Sequence, residues 1–274
     1  MKTLYVSDLD GTLLRTNQKT SDFTNKIINE LVEEGLLFSY ATARSYNTSH
    51  KVTEGMTADF PLIVYNGVFV RDNASGEMLL KNFFDEEIKE VVLELIEHDL
   101  SPIVYAYVDG VERFTFNIDE VNDVTLEFAL TRENDSRYRP IKSLEELIAG
   151  EIFYLTLIDD ESKLKPFYDK YKDKYHCFFQ KDMYTGNQWL EIIPKNASKA
   201  NAIKQLKDML NCDRLVVFGD GVNDIDMFEI ADEAYAVENA VDELKEIATG
   251  VIACNDEDGV AKWLYERVKG ESIK

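Results

Sequence analysis

A chain of 274 residues that is 45% hydrophobic can bury one large core or two modest ones, which excludes a disordered chain. Its 52 acidic against 30 basic residues give a formal net charge of -22, so most of the surface repels a nucleic-acid backbone, while a small anion escorted by a metal ion stays acceptable. Much of that acidity reads as solvated helix surface.

In chain order, residues 3–9 read as a strand built on Leu4, Tyr5 and Val6, with turn chemistry beginning at Gly11. Behind Thr20 or Ser21 as a cap, Phe23, Ile27, Ile28, Leu31 and Val32 recur at helical spacing until Gly35. "LLFSYA" is a second strand, "YNTSHKVTEGM" a helix and "FPLIVYNG" a third strand, and this β-α-β-α-β order implies a parallel sheet.

The middle has a different texture. "VFVRDNASGEMLL" reads as a hairpin with Asn73, Ser75 and Gly76 in its loop, and "PIVYAYVDGVERFTF" as a hairpin around Asp109-Gly110. Between them, "DEEIKEVVLELIEHD" sets Ile88, Val91, Val92, Leu95 and Ile96 on one helical face. "EIFYLTLI", "LKPFYDKYKDKY", "YHCFFQKD" and "NQWLEIIP" then give strand, helix, strand, strand. After Pro194 the first texture returns: a helix from Ser198, the strand "RLVVF", a helix after Asn223, the strand "AYAVE", a helix from Val241, the strand "GVIA" and a last helix from about Gly259. The fold class this predicts is α/β: a doubly wound, Rossmann-like parallel-sheet core made of residues 1–82 and 189–274, with an α+β domain inserted at residues 83–188.

Cys177, Cys212 and Cys254 are odd in number and form no CxxC pair, which argues against a disulfide framework or a zinc site and fits a reducing cytoplasm. "MKTLYVSDLD" reaches an aspartate before a signal-peptide core forms, and no apolar run approaches the ~20 residues that span a bilayer. The expectation is an unexported protein with no membrane partner. His50, His98 and His176 lack ligand spacing and read as structural or surface residues.

In an open parallel sheet, ligands gather beyond the carboxyl ends of the strands. Asp8 and Asp10 lie at one such end, "FSYATARS" sets Thr42 and Arg44 at a second, and "VVFGDGVND" sets Asp220, Asn223 and Asp224 at a third. Converging carboxylates raise one another's pKa values unless a cation joins them. Oxygen ligands without histidine or cysteine suit a hard ion such as Mg²⁺. A carboxylate is also a nucleophile toward a phosphoryl group, and Lys199 and Thr42 are spaced along the chain to balance the charge of an incoming phosphate. Asp10, in a turn, is free to act as general acid and then general base.

The ordered stretches "DLDGTLL", "TAR", "SKANAI" and "GDGVNDIDMF" resemble the four motifs of the haloacid dehalogenase-like phosphatases. "NGVFV", "AVENAVDELKEIA" and "NDEDGVAKWL" are similar to the Cof-type branch, which carries a large α/β cap. The resemblance implies that Asp8 is nucleophile and Mg²⁺ ligand and that Asp10 is acid/base with its carbonyl on the metal. It further implies that Thr42 and Lys199 hold phosphate, and that Asp220 ligates Mg²⁺ with Asn223 and Asp224 in support. Arg44, Asn66 and Gly67 become candidate substrate contacts, although Asn66-Gly67 also reads as a plain turn and Arg44 as a surface ion pair. Ala43 stands where the branch usually has glycine, which removes easy access to positive φ.

The expected activity is hydrolysis of a small phosphate ester, the resemblance implying sugar phosphates ahead of pyridoxal phosphate or flavin mononucleotide, with the inserted domain closing over the site. Two rivals remain at this level. A phosphosugar mutase returns the phosphoryl group to a sugar, and a phospho-accepting signalling module also clusters aspartates on a parallel sheet.

Overall fold

The structure is a computed structural model and describes residues 1–181 and 186–271. Contacts along the chain separate two units, Met1–Lys81 with Ser198–Lys274, and Asn82–Ala197.

The first unit opens with β1 (Thr3–Asp8), whose Leu4 and Val6 are fully buried along with the polar Ser7. A strand covered on both faces reads as a near-continuous rather than alternating run, which is why Leu4, Tyr5 and Val6 appear together. Helix α1 (Asp22–Glu33) starts at Ser21, whose hydroxyl accepts the Thr24 N–H at 3.0 Å, and it buries Ile27, Ile28 and Leu31. The cap satisfies one of the first-turn donors that a helix leaves unpaired. β2 (Leu37–Ala41), α2 (Tyr46–Val52) and β3 (Pro61–Val64) continue the alternation, and β4 (Phe69–Asp72) and β5 (Met78–Lys81) return antiparallel.

The second unit holds α3 (Ile88–Glu97), β6 (Ile103–Val108), β7 (Val111–Asn117), α4 (Asp123–Leu130), β8 (Tyr138–Ile141), α5 (Leu144–Leu147), β9 (Glu151–Asp159), α6 (Glu161–Tyr171), β10 (His176–Lys181) and β11 (Gln188–Ile193). Its six strands lie in the order β10-β11-β9-β6-β7-β8. The β6–β7 hairpin turns at Asp109 and Gly110, both at positive φ (51° and 77°), as a two-residue turn between twisted strands requires. Leu155, Leu157, Leu190 and Ile192 pack with α3 and α6 in one cluster, while Ile103, Phe114 and Phe116 pack with Ala129 of α4 in another. The return boundary expected at 188/189 needs correction. β11 pairs along its length with β9 and β10, so these hydrogen bonds hold the strand in the second unit and the division falls at 197/198.

The chain then re-enters the first unit through α7 (Lys199–Met209), β12 (Arg214–Gly219), α8 (Ile225–Glu229), β13 (Glu233–Val237), α9 (Asp242–Ile247), β14 (Gly250–Ile252) and α10 (Gly259–Lys269). Its eight strands run β14-β13-β12-β1-β2-β3-β4-β5, parallel from β14 to β3. β1 is therefore flanked by β12 and β2, and three loops leave the carboxyl edge beside it. Among the described residues, no helix is long and apolar enough to cross a membrane.

Candidate active site

Asp8 ends β1 opposite Ala41 of β2, and on the other flank Ser7 pairs with Phe218, two residues before Asp220. Parallel register thus brings Asp8, Thr42 and Asp220 to one edge although more than 200 residues separate the first from the last. Immediately after Asp8 the chain enters a wide turn, Leu9–Leu13, closed by Leu14 N–H on the Leu9 carbonyl at 2.8 Å. Within it Asp10 is extended and Gly11 has φ +79°. A Cβ on Gly11 would lie 2.3 Å from Asp220 Oδ2, so only glycine permits both the turn and the approach of Asp220. Thr12 Oγ1 donates to Asp220 Oδ1 at 2.7 Å and fixes that carboxylate.

Asp8 is 4% exposed, Asp224 0% and Lys199 3%. The Lys199 ammonium, at the first residue of α7, donates to Asp8 Oδ1 and, at 2.7 Å, to Asp224 Oδ1. The other oxygen of Asp224 accepts the N–H groups of Asp220 and Gly221 at 3.0 and 3.1 Å, which shapes the loop that presents Asp220. Asp8, Asp220 and Asp224 can each bring one oxygen within 4.8 Å of the others. Burial, reinforced by the charges of Asp224 and Asp220, pushes the Asp8 carboxyl well above the usual carboxylate range despite Lys199. Burial likewise pushes Asp220 up to about 6 against the hydrogen bond from Thr12. For Lys199, burial favours losing the proton, but Asp224 and Asp8 outweigh it and hold the ammonium charged. Three carboxylates facing one buried cation are undercompensated. That imbalance, with an all-oxygen donor set, fits a hard divalent cation.

On the other side, Thr42 is buried and its hydroxyl accepts the Arg44 N–H at 3.1 Å. The Arg44 guanidinium pairs with the half-exposed Asp10 carboxylate, Nη2 to Oδ1 at 2.6 Å and Nε to Oδ2 at 2.8 Å. Asn66 and Gly67 brace this loop. Tyr65 and Asn66 N–H donate to the Arg44 and Thr42 carbonyls, each at 2.9 Å, and a Cβ on Gly67 would meet the Ser198 carbonyl at 2.2 Å, one residue before Lys199.

A family model for haloacid dehalogenase-like hydrolases matches residues 5–264, from β1 into α10. The chain belongs to that family. Among curated relatives, this haloacid dehalogenase-like hydrolase is 28% identical to the 5-amino-6-(5-phospho-D-ribitylamino)uracil phosphatase YwtE of Bacillus subtilis, over 96% of this chain and 97% of that one. It is 27% identical to YitU of the same organism, which carries the same activity name, over 96% of each chain. A crystal structure from Thermotoga maritima superposes with a TM-score of 0.78 at 29% identity and covers 100% of both chains. The named relatives are phosphatases, and this chain is an enzyme of the same hydrolase family.

The hydrolase brings Asp8, Lys199, Asp220 and Asp224 together as side chains. It does not bring the Asp10 carboxylate into that cluster, since Arg44 holds it. Asn223 is exposed, its side-chain oxygen 2.5 Å from where a Cβ on Gly221 would stand. Ala43 is exposed and does not adopt the positive φ that would demand glycine, so the missing glycine costs this loop no strain. The sequence reading assigned no role to Thr12, although the Gly-Thr that follows Asp10 was its visible signal. Nor did it find Asn239, whose side chain donates to the Gly11 carbonyl at 2.7 Å.

Proposed function

We propose that this enzyme is a Mg²⁺-dependent phosphatase that hydrolyses a small phosphate monoester through a phosphoryl group carried on Asp8. The observation that carries the reading is the burial of Asp8 at the end of β1 against Lys199, with two further carboxylates within reach. Asp8, Asp220 and Asp224 are the residues that would hold the ion. When bound, it would supply positive charge to offset that of the carboxylates and of the phosphate.

An Asp8 oxygen attacks phosphorus as the bond from phosphorus to the ester oxygen breaks. Asp10 gives its proton to the departing alkoxide. In the second half Asp10 takes a proton from water, the water oxygen attacks phosphorus, and the bond to Asp8 breaks, releasing inorganic phosphate and restoring Asp8. Lys199 favours the ionised form of Asp8 against its burial and, with the Thr42 hydroxyl, neutralises charge on the phosphoryl oxygens. The two aspartates differ in support: Asp8 is locked by the sheet and Lys199, whereas Asp10 rides a turn and its carboxylate pairs with the long, flexible side chain of Arg44.

The substrate class we assign is a phosphorylated sugar or sugar alcohol. The family resemblance favours it, and the two Bacillus relatives are named for a phosphorylated ribityl compound. Three unpaired cysteines support a cytoplasmic location.

The test measures phosphate release from a panel of sugar phosphates, nucleotides and phosphorylated cofactors, with and without Mg²⁺, for the wild type and Asp8→Asn. Acid-quenched mass spectrometry of the peptide containing Asp8 should show one added phosphoryl group in the wild type alone. Asp8→Asn should lower turnover by about a thousandfold or more. Substantial phosphate release by that variant would refute the nucleophile assignment.

A further inference from the structure

Two of the stretches that resemble the Cof-type branch, "AVENAVDELKEIA" and "NDEDGVAKWL", supply none of the groups in the chemistry above. Both converge on the turn that carries Asp10. Asn239 Nδ2 donates to the Gly11 carbonyl at 2.7 Å, and Asn255 Nδ2 donates to the Leu14 carbonyl at 2.9 Å. The two asparagines are linked, because the Asn255 N–H donates to Asn239 Oδ1 at 3.0 Å. Together they hold the turn one residue after Asp10 and again where it closes.

The clamp is itself anchored. Asp258, in the left-handed region at φ +58°, accepts from Arg15 Nε at 3.0 Å, Ser21 Oγ at 2.7 Å and Thr24 Oγ1 at 3.1 Å. Burial alone would raise its pKa, yet these bonds hold it below the usual carboxylate range. Asp256 accepts from Thr16 N and Oγ1 at 2.8 and 2.7 Å. The segment from Asn255 to Asp258 is thus pinned to the turn, to the residues that follow it, and to the start of α1. Asn255 must be an amide here: a carboxylate in its place has no proton to donate to a backbone carbonyl.

We propose that Asn255, extended by Asn239, is a positioning residue that fixes the Asp10 turn and with it the geometry of proton transfer. The inference rests on the reading of Asp10 as acid and base. A general acid helps only when it lies within hydrogen-bond reach of the leaving oxygen, so loosening the turn should weaken proton delivery more than nucleophilic attack.

Leaving-group dependence separates the two. For kcat/KM, which reports events through phosphorylation of Asp8, an alkyl phosphate needs a proton on its leaving oxygen and para-nitrophenyl phosphate does not. Asn255→Ala should lose about tenfold to hundredfold in kcat/KM on the alkyl ester and less than about threefold on the nitrophenyl ester. Its phosphoenzyme should accumulate with the nitrophenyl ester, because hydrolysis still needs Asp10 as base. Asn239 is exposed, so Asn239→Ala tests the same split if Asn255→Ala folds poorly. A merely structural role lowers both esters equally through a smaller active fraction, and that result, or no loss in either variant, overturns the proposal. Asp10→Asn is the reference arm. If it shows the split and neither asparagine variant does, only this inference falls. If Asp10→Asn shows no split, the reading of Asp10 falls and takes this inference with it.

Discussion

Lys199→Met tests the charge balance of the site directly. The substitution keeps an unbranched stem in a position only 3% exposed and removes the ammonium bonded to Asp8 and Asp224. With all three carboxylates ionised, one ammonium leaves two negative charges uncompensated, and its loss leaves three. Removing one partner of a buried pair typically costs about 3–5 kcal/mol because a buried charge is stranded, a large share of the roughly 5–15 kcal/mol that holds a domain together. The cost depends on pH. Asp8 and Asp220 both have raised folded pKa values, Asp220 to about 6. A carboxyl whose folded pKa is raised favours folding fully below its unfolded pKa, and that contribution is lost as pH rises through the folded value. Metal-free Lys199→Met should therefore lose about 3–5 kcal/mol near pH 8 and clearly less near pH 5, where protons replace the missing cation. Urea unfolding at both pH values, with and without Mg²⁺, measures this, and Mg²⁺ should recover part of the loss near pH 8. A loss that is equal at the two pH values and insensitive to Mg²⁺ would show that Lys199 is not balancing these carboxylates.

Two further substitutions, one of them with a control variant, probe the scaffold. Glu191 of β11 is pushed up to about 6 by burial, against a hydrogen bond from Tyr154. Its ionisation as pH rises through about 6 should cost up to about 2 kcal/mol, so Glu191→Gln is expected to stabilise the protein near pH 8 and not near pH 4, and equal melting shifts at both would contradict this. Gly67→Ala should cost about 1–3 kcal/mol and lower turnover, because its Cβ would stand 2.2 Å from the Ser198 carbonyl beside Lys199. Gly110→Ala, at φ +77° with nothing within 4 Å of its Cβ, is the strain-only control, and equal effects on turnover would dismiss the close approach as the cause.

Elements with a strong period were legible before any coordinates. Ile27, Ile28 and Leu31 mark α1, and the Asp109-Gly110 pair marks the β6–β7 hairpin. Asp8, Thr42 and Asp220 were legible for a related reason: each ends a strand or follows directly on one, so finding the strand finds the candidate site. α4 and β8 were not read. α4 has buried Thr125 and Ala129 but weak segregation of its apolar residues along one face, and β8 is four residues long with a proline, Pro140, tolerable only because β8 is an edge strand. The end of the inserted unit was placed nine residues early because Trp189, Leu190, Ile192 and Ile193 suit either sheet, and pairing partners alone decide between them. Asn239 and Asn255 lie in stretches that carry the family resemblance, but nothing local shows what their side chains touch. Their contacts join a side-chain amide to a carbonyl more than 200 residues away, and no window along the chain contains both ends.

The spacing of Asp8 and Asp10 acquires its meaning from the backbone. In a continuing strand, residues two apart point to the same face, and two carboxylates there would share one environment and compete for one role. The wide turn that begins at Leu9 ends that equivalence within a single residue. Asp8 stays in the ladder and is buried on Lys199, while the Asp10 carboxylate is half exposed and turned to Arg44. The same turn needs Gly11 at positive φ and admits Asp220 into the space a Cβ would fill. One glycine therefore makes the two aspartates unequal and lets a third approach the first. The roles proposed for Asp8, Asp10 and Asp220 are consequently separated by one local conformation, and that conformation receives hydrogen bonds from Asn239 and Asn255, which lie outside the four motif stretches that contain the aspartates.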